Sequence, residues 1–224
     1  MKRAIKYFGK QEELKQKLLT INPYYNDYFI VHSALDNLVE FNGLRDEEYY
    51  EICDGLGNGL YNDEGNLRLE KVLVDFLIEN NLTIATAESC TGGMIASKIV
   101  DVSGASKVFY EGVVTYSNQS KIERLSVDEK KIDFYGAVSE QVAKEMAYGL
   151  LNENVDIGIS TTGIAGPDGG SEEKPVGLVY VGIAFKECEP IAIECRFNGN
   201  RNEIRQCATN SALYYAYDYL NNNL

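Results

Sequence analysis

The spacing of apolar residues along the chain changes at about residue 67. Before that point the pattern predicts two polar or acidic helices, at 11–19 and 46–53, and two short strands, at 28–33 and 37–42. Glycines at 54–59 and a turn cluster at 62–66 then interrupt regular structure. We therefore expect a small α+β domain over residues 1–66.

From residue 67 onward, helical and strand-like patterns alternate. Helices are predicted at 69–80, from the glycine pair at 92–93 to about residue 100, at 118–125, at 139–151 and from about residue 202. Strands are predicted at 83–87, 108–116, 155–161, 176–185 and 191–197, the last two antiparallel. This alternation predicts an α/β sandwich with a mixed sheet over residues 67–224.

Composition excludes several classes of function. The formal net charge is −13, which repels a phosphate backbone, so we expect no binding to nucleic acid. No apolar run approaches the roughly 18 residues of a membrane helix, and we expect no membrane association. The first 17 residues are basic without an apolar segment, unlike a secretory signal, so a cytoplasmic location is expected.

The few residues suited to metal binding are dispersed. The five cysteines have no short pairwise spacing, and His32 is the only histidine. We therefore expect no metal site and no cofactor. A Ser-His mechanism would have to recruit His32 from the N-terminal region, so a hydrolase here would use a different base.

The first motif with catalytic potential is the segment 87–93, with the sequence AESCTGG. A strand that turns directly into a helix places Ser89 near the helix N-terminus, where free N–H groups and the helix dipole stabilise negative charge. Gly92 and Gly93 allow close approach to the backbone. These features suit a serine nucleophile with an oxyanion hole. The alternative is that Ser89 or Thr91 only caps the helix.

Lys121 follows a predicted strand and lies about one turn into the next predicted helix. Burial lowers the pKa of a lysine, so a desolvated Lys121 could act as a base for Ser89, with Tyr116 on the same side. A solvated helix lysine is the alternative interpretation.

Two later segments are typical of ligand-binding loops. Residues 161–177 contain five glycines and two prolines after a predicted buried strand, which indicates either a shaped edge of a binding site or a long hairpin. Arg201 lies at the start of the last helix, where it could hold a phosphate or form a surface ion pair.

Together these segments resemble one family, the C-terminal domain of the competence-damage-inducible protein CinA, a nicotinamide-nucleotide amidohydrolase. The matching segments, in family order, are TIATAESCTGGMIASKI, GASKVFYEGVVTYSNQSKIERLSV, GAVSEQVAKEMA, STTGIAGPDGGSEEKPVGLVYVGIA and NRNEIRQCAT. The resemblance implies a three-layer α/β/α domain over residues 67–224. It also implies hydrolysis of nicotinamide mononucleotide to nicotinic acid mononucleotide and ammonia.

The resemblance also implies roles for individual residues. Ser89 is expected as the nucleophile and Lys121 as the base. Tyr116 and Thr162 are expected to join them in the catalytic site. The expected substrate-binding residues are Glu88, Thr91, Gly92, Gly93, Gly163, Gly166, Lys174, Arg201 and Arg205.

Residues 1–66 resemble the small KH-like connector that precedes this domain in longer CinA proteins. Acidic residues outnumber basic ones there, so RNA binding is not expected from this connector. The expected partner is a small-molecule nucleotide substrate, and a homo-oligomer is left open. The alternative function is a catalytically weak, nucleotide-binding regulatory module of the same family.

Overall fold

Four short strands and two helices form the N-terminal part of the chain in the computed structural model, which describes residues 3–224. The elements are β1 (Arg3–Phe8), α1 (Gln11–Ile21), β2 (Tyr28–Ser33), β3 (Asp36–Phe41), α2 (Asp46–Leu56) and β4 (Leu60–Asn62). The antiparallel sheet has the order β2-β3-β1-β4. The sequence pattern misses β1, whose pairing partners are remote in the sequence, and β4, which is only three residues long.

The core of this part lies between one face of the sheet and the two helices. Ile5, Val39 and Phe41 are fully buried strand residues on that face, because alternate side chains of a strand point to the same side. The helix residues of the same cluster, spaced three or four apart within each helix, are Leu14, Leu18, Tyr49, Ile52 and Leu56. The predicted small α+β arrangement is confirmed.

The chain divides into two compact units between Val72 and Leu73, inside α3 (Leu69–Glu79), a few residues past the predicted boundary. The later strands are β5 (Ile84–Glu88), β6 (Phe109–Val114), β7 (Ile157–Gly163), β8 (Leu178–Phe185) and β9 (Ile191–Arg196). The later helices are α4 (Met94–Val100), α5 (Asn118–Leu125), α6 (Glu129–Tyr135), α7 (Glu140–Tyr148) and α8 (Arg201–Asn223). Among these, α6 is the helix that the sequence pattern does not predict.

The second unit is built on a mixed sheet of order β6-β5-β7-β8-β9. β5 runs parallel to both β6 and β7, whereas β7, β8 and β9 are antiparallel neighbours. The predicted mixed sheet is confirmed, and so is the antiparallel pairing of the last two strands.

Helices cover both faces of this sheet. On one face, α5, α6 and α7 pack over a buried cluster, and the Ser160 hydroxyl in β7 donates to Ala143 O of α7 at 2.6 Å. On the other face, α4 and α8 pack together, and the rings of Phe76 in α3 and Tyr217 in α8 meet edge to face at 5.8 Å. The domain is therefore the expected three-layer α/β/α sandwich.

The chain order places β5 at a switch point of the sheet. The connection from β5 to β6 passes through α4 on one face, and the connection from β6 to β7 passes through α5, α6 and α7 on the other. Because β5, β6 and β7 are parallel, their carboxyl ends meet at one edge, which is where ligands bind in such sheets. The segment 87–93 spans the end of β5, Lys121 follows β6, and the glycine-rich segment 161–177 begins at the end of β7.

No helix within residues 3–224 combines the length and the apolar character needed to cross a bilayer. The longest helix, α8, is 23 residues long and carries polar side chains throughout its length.

Candidate active site

Ser89 lies in the turn between β5 and α4. Its N–H donates to Thr161 O of the neighbouring strand β7 at 3.0 Å, which fixes the residue at the end of the sheet. The side chain is only 9% exposed. Gly92 and Gly93 have φ of 61° and 96°, a left-handed backbone that favours glycine, so the abrupt strand-to-helix turn depends on this pair.

Lys121 is buried against Ser89. The residue lies in the first turn of α5, which the Ser117 side chain caps by accepting from the Ser120 N–H. Lys121 is 1% exposed, and its Nζ lies 3.3 Å from Ser89 Oγ. The same nitrogen donates to Thr115 O at 2.7 Å and to Tyr116 O at 3.4 Å. The solvated alternative for this lysine is therefore wrong.

Burial also changes the protonation of this lysine. Removal from water lowers the pKa of Lys121 to about 8. With that pKa, about a tenth of the side chains are neutral at pH 7, several hundred times more than for a solvated lysine. A neutral amine next to a serine hydroxyl can accept its proton.

A cavity of about 210 Å³ opens in front of these two side chains. It is lined by Ser89, Cys90, Tyr116, Asn118, Lys121, Ala137, Val138, Thr162, Gly163, Ala165 and Arg201. Lys121 and Arg201 are basic, and none of the lining residues is acidic, although the chain as a whole carries a net charge of −13. The cavity therefore suits a neutral or anionic ligand.

Four further predicted residues reach this cavity: Gly163, Tyr116, Thr162 and Arg201. Arg201 donates from Nη1 to Gly166 O at 2.8 Å and from Nη2 to the Tyr116 hydroxyl at 3.4 Å. The Tyr116 side chain lies at the mouth and is 65% exposed. Thr162 donates its hydroxyl to Ala137 O at 2.7 Å, which ties β7 to the segment before α7. Gly166, predicted to bind substrate, instead meets Arg201 through its carbonyl.

Glu88 does not line the cavity. Its side chain is almost fully buried, and its carboxylate accepts from the N–H groups of Gly93, Ile95 and Ala96 at 2.9 to 3.1 Å. A carboxylate at a helix N-terminus is stabilised by those N–H groups and by the helix dipole. Glu88 is thus the cap of α4 rather than a group facing a substrate. The three N–H groups are also unavailable to an oxyanion, contrary to the expectation for this helix.

Thr91, Gly92, Gly93 and Arg205 also lie outside the cavity lining. The Thr91 hydroxyl is buried and shares a hydrogen bond of 2.7 Å with the Thr161 hydroxyl. The Arg205 guanidinium donates to two main-chain carbonyls of the Ser89 turn. These residues, predicted to bind substrate, shape the turn itself.

Lys174 binds the protein rather than the cavity. Its ammonium donates to the carbonyls of Tyr135 and Val138, so it fastens the glycine-rich loop to the segment between α6 and α7. The loop joins the antiparallel strands β7 and β8, and its residues Gly163 and Ala165 line the cavity. Both interpretations of this segment, a hairpin connection and an edge of the site, therefore hold.

Several cavity residues were not predicted. Asn118 precedes Lys121 by one helical turn, and Ala137 and Val138 belong to a segment that matched the family, so the motifs contained a signal for all three. Cys90 lines the cavity although its thiol is buried, and burial raises its pKa to about 11. The thiol is therefore protonated at neutral pH and is a poor nucleophile beside Ser89.

Two other features bear on the choice of site. A larger concavity of about 650 Å³ lies beside α7 and the β8–β9 turn, and its charged residues include Lys131 and Glu145, which pair with each other. It lacks a nucleophile paired with a base, so chemistry rather than volume identifies the site at Ser89. Within residues 3–224, no three His, Cys, Asp or Glu side chains are grouped to hold a metal ion.

One known protein family and several known proteins match this chain. Residues 66–220 match the family described as the CinA C-terminal domain. A competence-damage inducible protein of Clostridium novyi is 47% identical over 191 residues, covering 84% of this chain and 46% of that protein. One from Clostridium kluyveri is 53% identical over 164 residues, covering 73% and 40%. The chain thus spans less than half of the length of these relatives.

Solved structures of competence/damage-inducible proteins share the fold of about two thirds of this chain. The competence/damage inducible protein CihA from Agrobacterium tumefaciens has a TM-score of 0.63 at 37% identity, covering 68% of this chain and 97% of that one. The competence damage-inducible protein A of Klebsiella pneumoniae has a TM-score of 0.67 at 30% identity, covering 70% and 97%.

Proposed function

The chain belongs to the CinA C-terminal domain family, and from that premise we propose that it hydrolyses the carboxamide of nicotinamide mononucleotide. The products are nicotinic acid mononucleotide and ammonia, a step of pyridine-nucleotide salvage in the cytoplasm. The observation that carries the proposal is the 3.3 Å contact between Lys121 Nζ and Ser89 Oγ, both buried, with the lysine pKa lowered to about 8.

The three contacts of Lys121 explain how a neutral amine would be oriented. A neutral amine has two N–H groups and one lone pair, whereas an ammonium has three N–H groups. The carbonyl oxygens of Thr115 and Tyr116 can only accept, so they take the two N–H groups. The lone pair is then left for the third neighbour, the Ser89 hydroxyl, which is the arrangement a general base requires.

The proposed reaction has two halves. Lys121 takes the Ser89 proton while Oγ bonds to the carboxamide carbon, and the carbonyl electrons move to the oxygen. When the tetrahedral intermediate collapses, Lys121 returns the proton to the leaving nitrogen and ammonia departs. Water then loses a proton to Lys121 and attacks the ester carbon. As the bond to Ser89 Oγ breaks, Lys121 returns that proton to Oγ, which releases the carboxylic acid and restores both side chains.

The oxyanion needs donors other than the start of α4. Glu88 occupies the N–H groups of Gly93, Ile95 and Ala96, and the Ser89 N–H donates to Thr161 O. We propose that the donors are the next N–H groups after the nucleophile, those of Cys90 and Thr91, which face the Cys90 sulfur in the structure, a weak acceptor that an oxyanion would replace. Main-chain donors near the nucleophile are the usual solution for acyl transfer.

The size and charge of the cavity support an anionic substrate that is only partly enclosed. Its volume, about 210 Å³, is below the roughly 300 Å³ at which typical ligand pockets begin. We propose that the nicotinamide ring enters the cavity and that the phosphate stays at the mouth, near Arg201. Binding energy from that remote phosphate would orient the carboxamide toward Ser89.

The test is ammonia release from nicotinamide mononucleotide, compared with free nicotinamide at equal concentration. We expect the mononucleotide to react much faster and Ser89→Ala to be inactive. Equal rates on the two compounds would contradict the role given to the phosphate. Tight binding of the mononucleotide without ammonia release would instead support the alternative, a nucleotide-binding regulatory module.

A further inference from the structure

Two arginines one turn apart on α8 have different partners. Arg201 faces the cavity, where it meets Gly166 O and the Tyr116 hydroxyl. Arg205 is half-buried, and its guanidinium faces the Ser89 turn. Its Nε donates to Cys90 O at 3.0 Å and its Nη2 to Thr91 O at 2.8 Å. Arg205 therefore binds two consecutive carbonyls directly after the nucleophile.

We propose that Arg205 is a positioning residue, which acts on the reaction through the main chain of the turn rather than through the substrate. By holding the carbonyls of Cys90 and Thr91, it fixes Ser89 at the distance from Lys121 that proton transfer needs. This inference deepens the proposed function and rests on it for the identity of the substrate.

Opposite charges hold the two polar sides of this turn. The Glu88 carboxylate binds N–H groups at the start of α4, and the Arg205 guanidinium binds the carbonyls just before it. Charged groups form stronger hydrogen bonds to peptide groups than neutral ones do. The turn is therefore fixed from both sides, and the loss of either charge leaves buried or half-buried peptide groups without a partner.

The contact requires an arginine in particular. A guanidinium presents donors in a fixed fork that can meet two acceptors at once, whereas an ammonium is a single point charge. The fork packs directly against the turn, since a Cβ at Gly92 would lie in van der Waals contact with Arg205 Nη2, at 3.4 Å. A lysine at position 205 would retain the charge without the paired geometry.

The test compares Arg205→Gln and Arg205→Lys with wild type in steady-state deamidation of nicotinamide mononucleotide. We expect kcat to fall about 10- to 100-fold in Arg205→Gln, because small displacements of reacting groups have effects of that order. Arg205→Lys should recover only part of the loss. KM should change less than about twofold, and the pH midpoint should stay at the wild-type value, because the burial of Lys121 and its contacts with the carbonyls of Thr115 and Tyr116 do not depend on Arg205.

The matched control is Arg196→Gln, which removes an exposed arginine of the same unit that pairs with Glu194 on the surface. This variant should keep wild-type kcat and KM. A large rise in KM with kcat intact in Arg205→Gln would overturn the proposal in favour of direct substrate binding. Unchanged kinetics in both Arg205 variants would overturn it as well.

Two readouts separate this proposal from the proposed function. The rate at which a serine-directed fluorophosphonate labels Ser89 should fall in Arg205→Gln, whatever the natural substrate is. Amide hydrogen exchange over residues 88–96 should rise in that variant while α7 keeps wild-type exchange. A wild type that labels but releases no ammonia refutes the substrate only, whereas unchanged labelling and exchange in Arg205→Gln refute the role of Arg205.

Discussion

Burial of Lys121 predicts that the stability of the protein depends on pH in a defined range. The pKa of Lys121 is lowered by burial from 10.5 to about 8 in the folded protein. Between these two values the unfolded chain binds more protons than the folded one, so the free energy of unfolding rises with pH. Below about pH 8, the folded state bears the full cost of protonating a buried amine.

The magnitude follows from the size of the shift. A lowering of about 2.5 pKa units corresponds to about 3 kcal/mol between low and high pH. Lys121→Met removes the titrating group while keeping a long, unbranched side chain. The free energy of unfolding of wild type should therefore gain about 2 to 3 kcal/mol relative to Lys121→Met between pH 7 and pH 10.

The measurement is urea unfolding of both proteins at pH 7, 8, 9 and 10. Because other groups titrate alike in the two proteins, the difference between the curves isolates Lys121. Lys107→Met, at an exposed position, is the matched control. Its free energy of unfolding should change with pH in the same way as that of wild type. In wild type, kcat should rise with pH through a midpoint near 8, since only the neutral amine can accept a proton.

Two results would refute this reasoning. Parallel stability curves for wild type and Lys121→Met would mean that folding does not shift the lysine pKa. An active Lys121→Arg variant would remove Lys121 from the role of base, because a guanidinium stays protonated. Either result would leave the 3.3 Å contact with Ser89 without a catalytic meaning.

The remaining predictions concern the other groups of the site. Ser89→Ala and Lys121→Met should each lower kcat about 10²-fold or more, and the double variant should be scarcely worse, because the two residues act as a unit. Arg201→Gln should raise KM for nicotinamide mononucleotide more than it lowers kcat; the reverse pattern would contradict phosphate binding at the mouth. Glu88→Ala should lower the free energy of unfolding by about 2 to 4 kcal/mol in urea titrations, since three amides lose a charged acceptor. EDTA should leave ammonia release unchanged, and activity restored by an added metal would overturn the metal-free mechanism.

Most helices were readable from the sequence, because helical spacing depends on neighbours along the chain; α6 was the exception. The spacing of Val142, Ala143 and Met146 predicts the buried face of α7, and the structure buries all three. The strand, turn and helix around Ser89 were likewise evident, because a buried strand followed by paired glycines allows few other conformations. β1 escaped prediction, since its pairing partners lie some 30 residues away and local spacing does not reveal them.

The roles of charged side chains depended on tertiary structure. Helix α5 is polar, so its sequence gives no reason for Lys121 to be buried; the carboxyl ends of β5 and β6 bury it. Adjacent to Ser89 in sequence, Glu88 was expected to face the substrate, but the start of α4 turns back onto its carboxylate. Arg201 and Arg205 are one helical turn apart and looked equivalent, yet their partners differ.

The sequence by itself determined which residues could react, and the tertiary structure decided which of them meet. Ser89 and Lys121 are 32 residues apart, and their 3.3 Å contact depends on the parallel register that pairs Glu88 with Val114. The lowered pKa depends on the same packing, because desolvation is a property of everything that surrounds the amine. Periodicity is a local property of the chain, whereas burial and the distance between remote groups arise only when the sheet has formed.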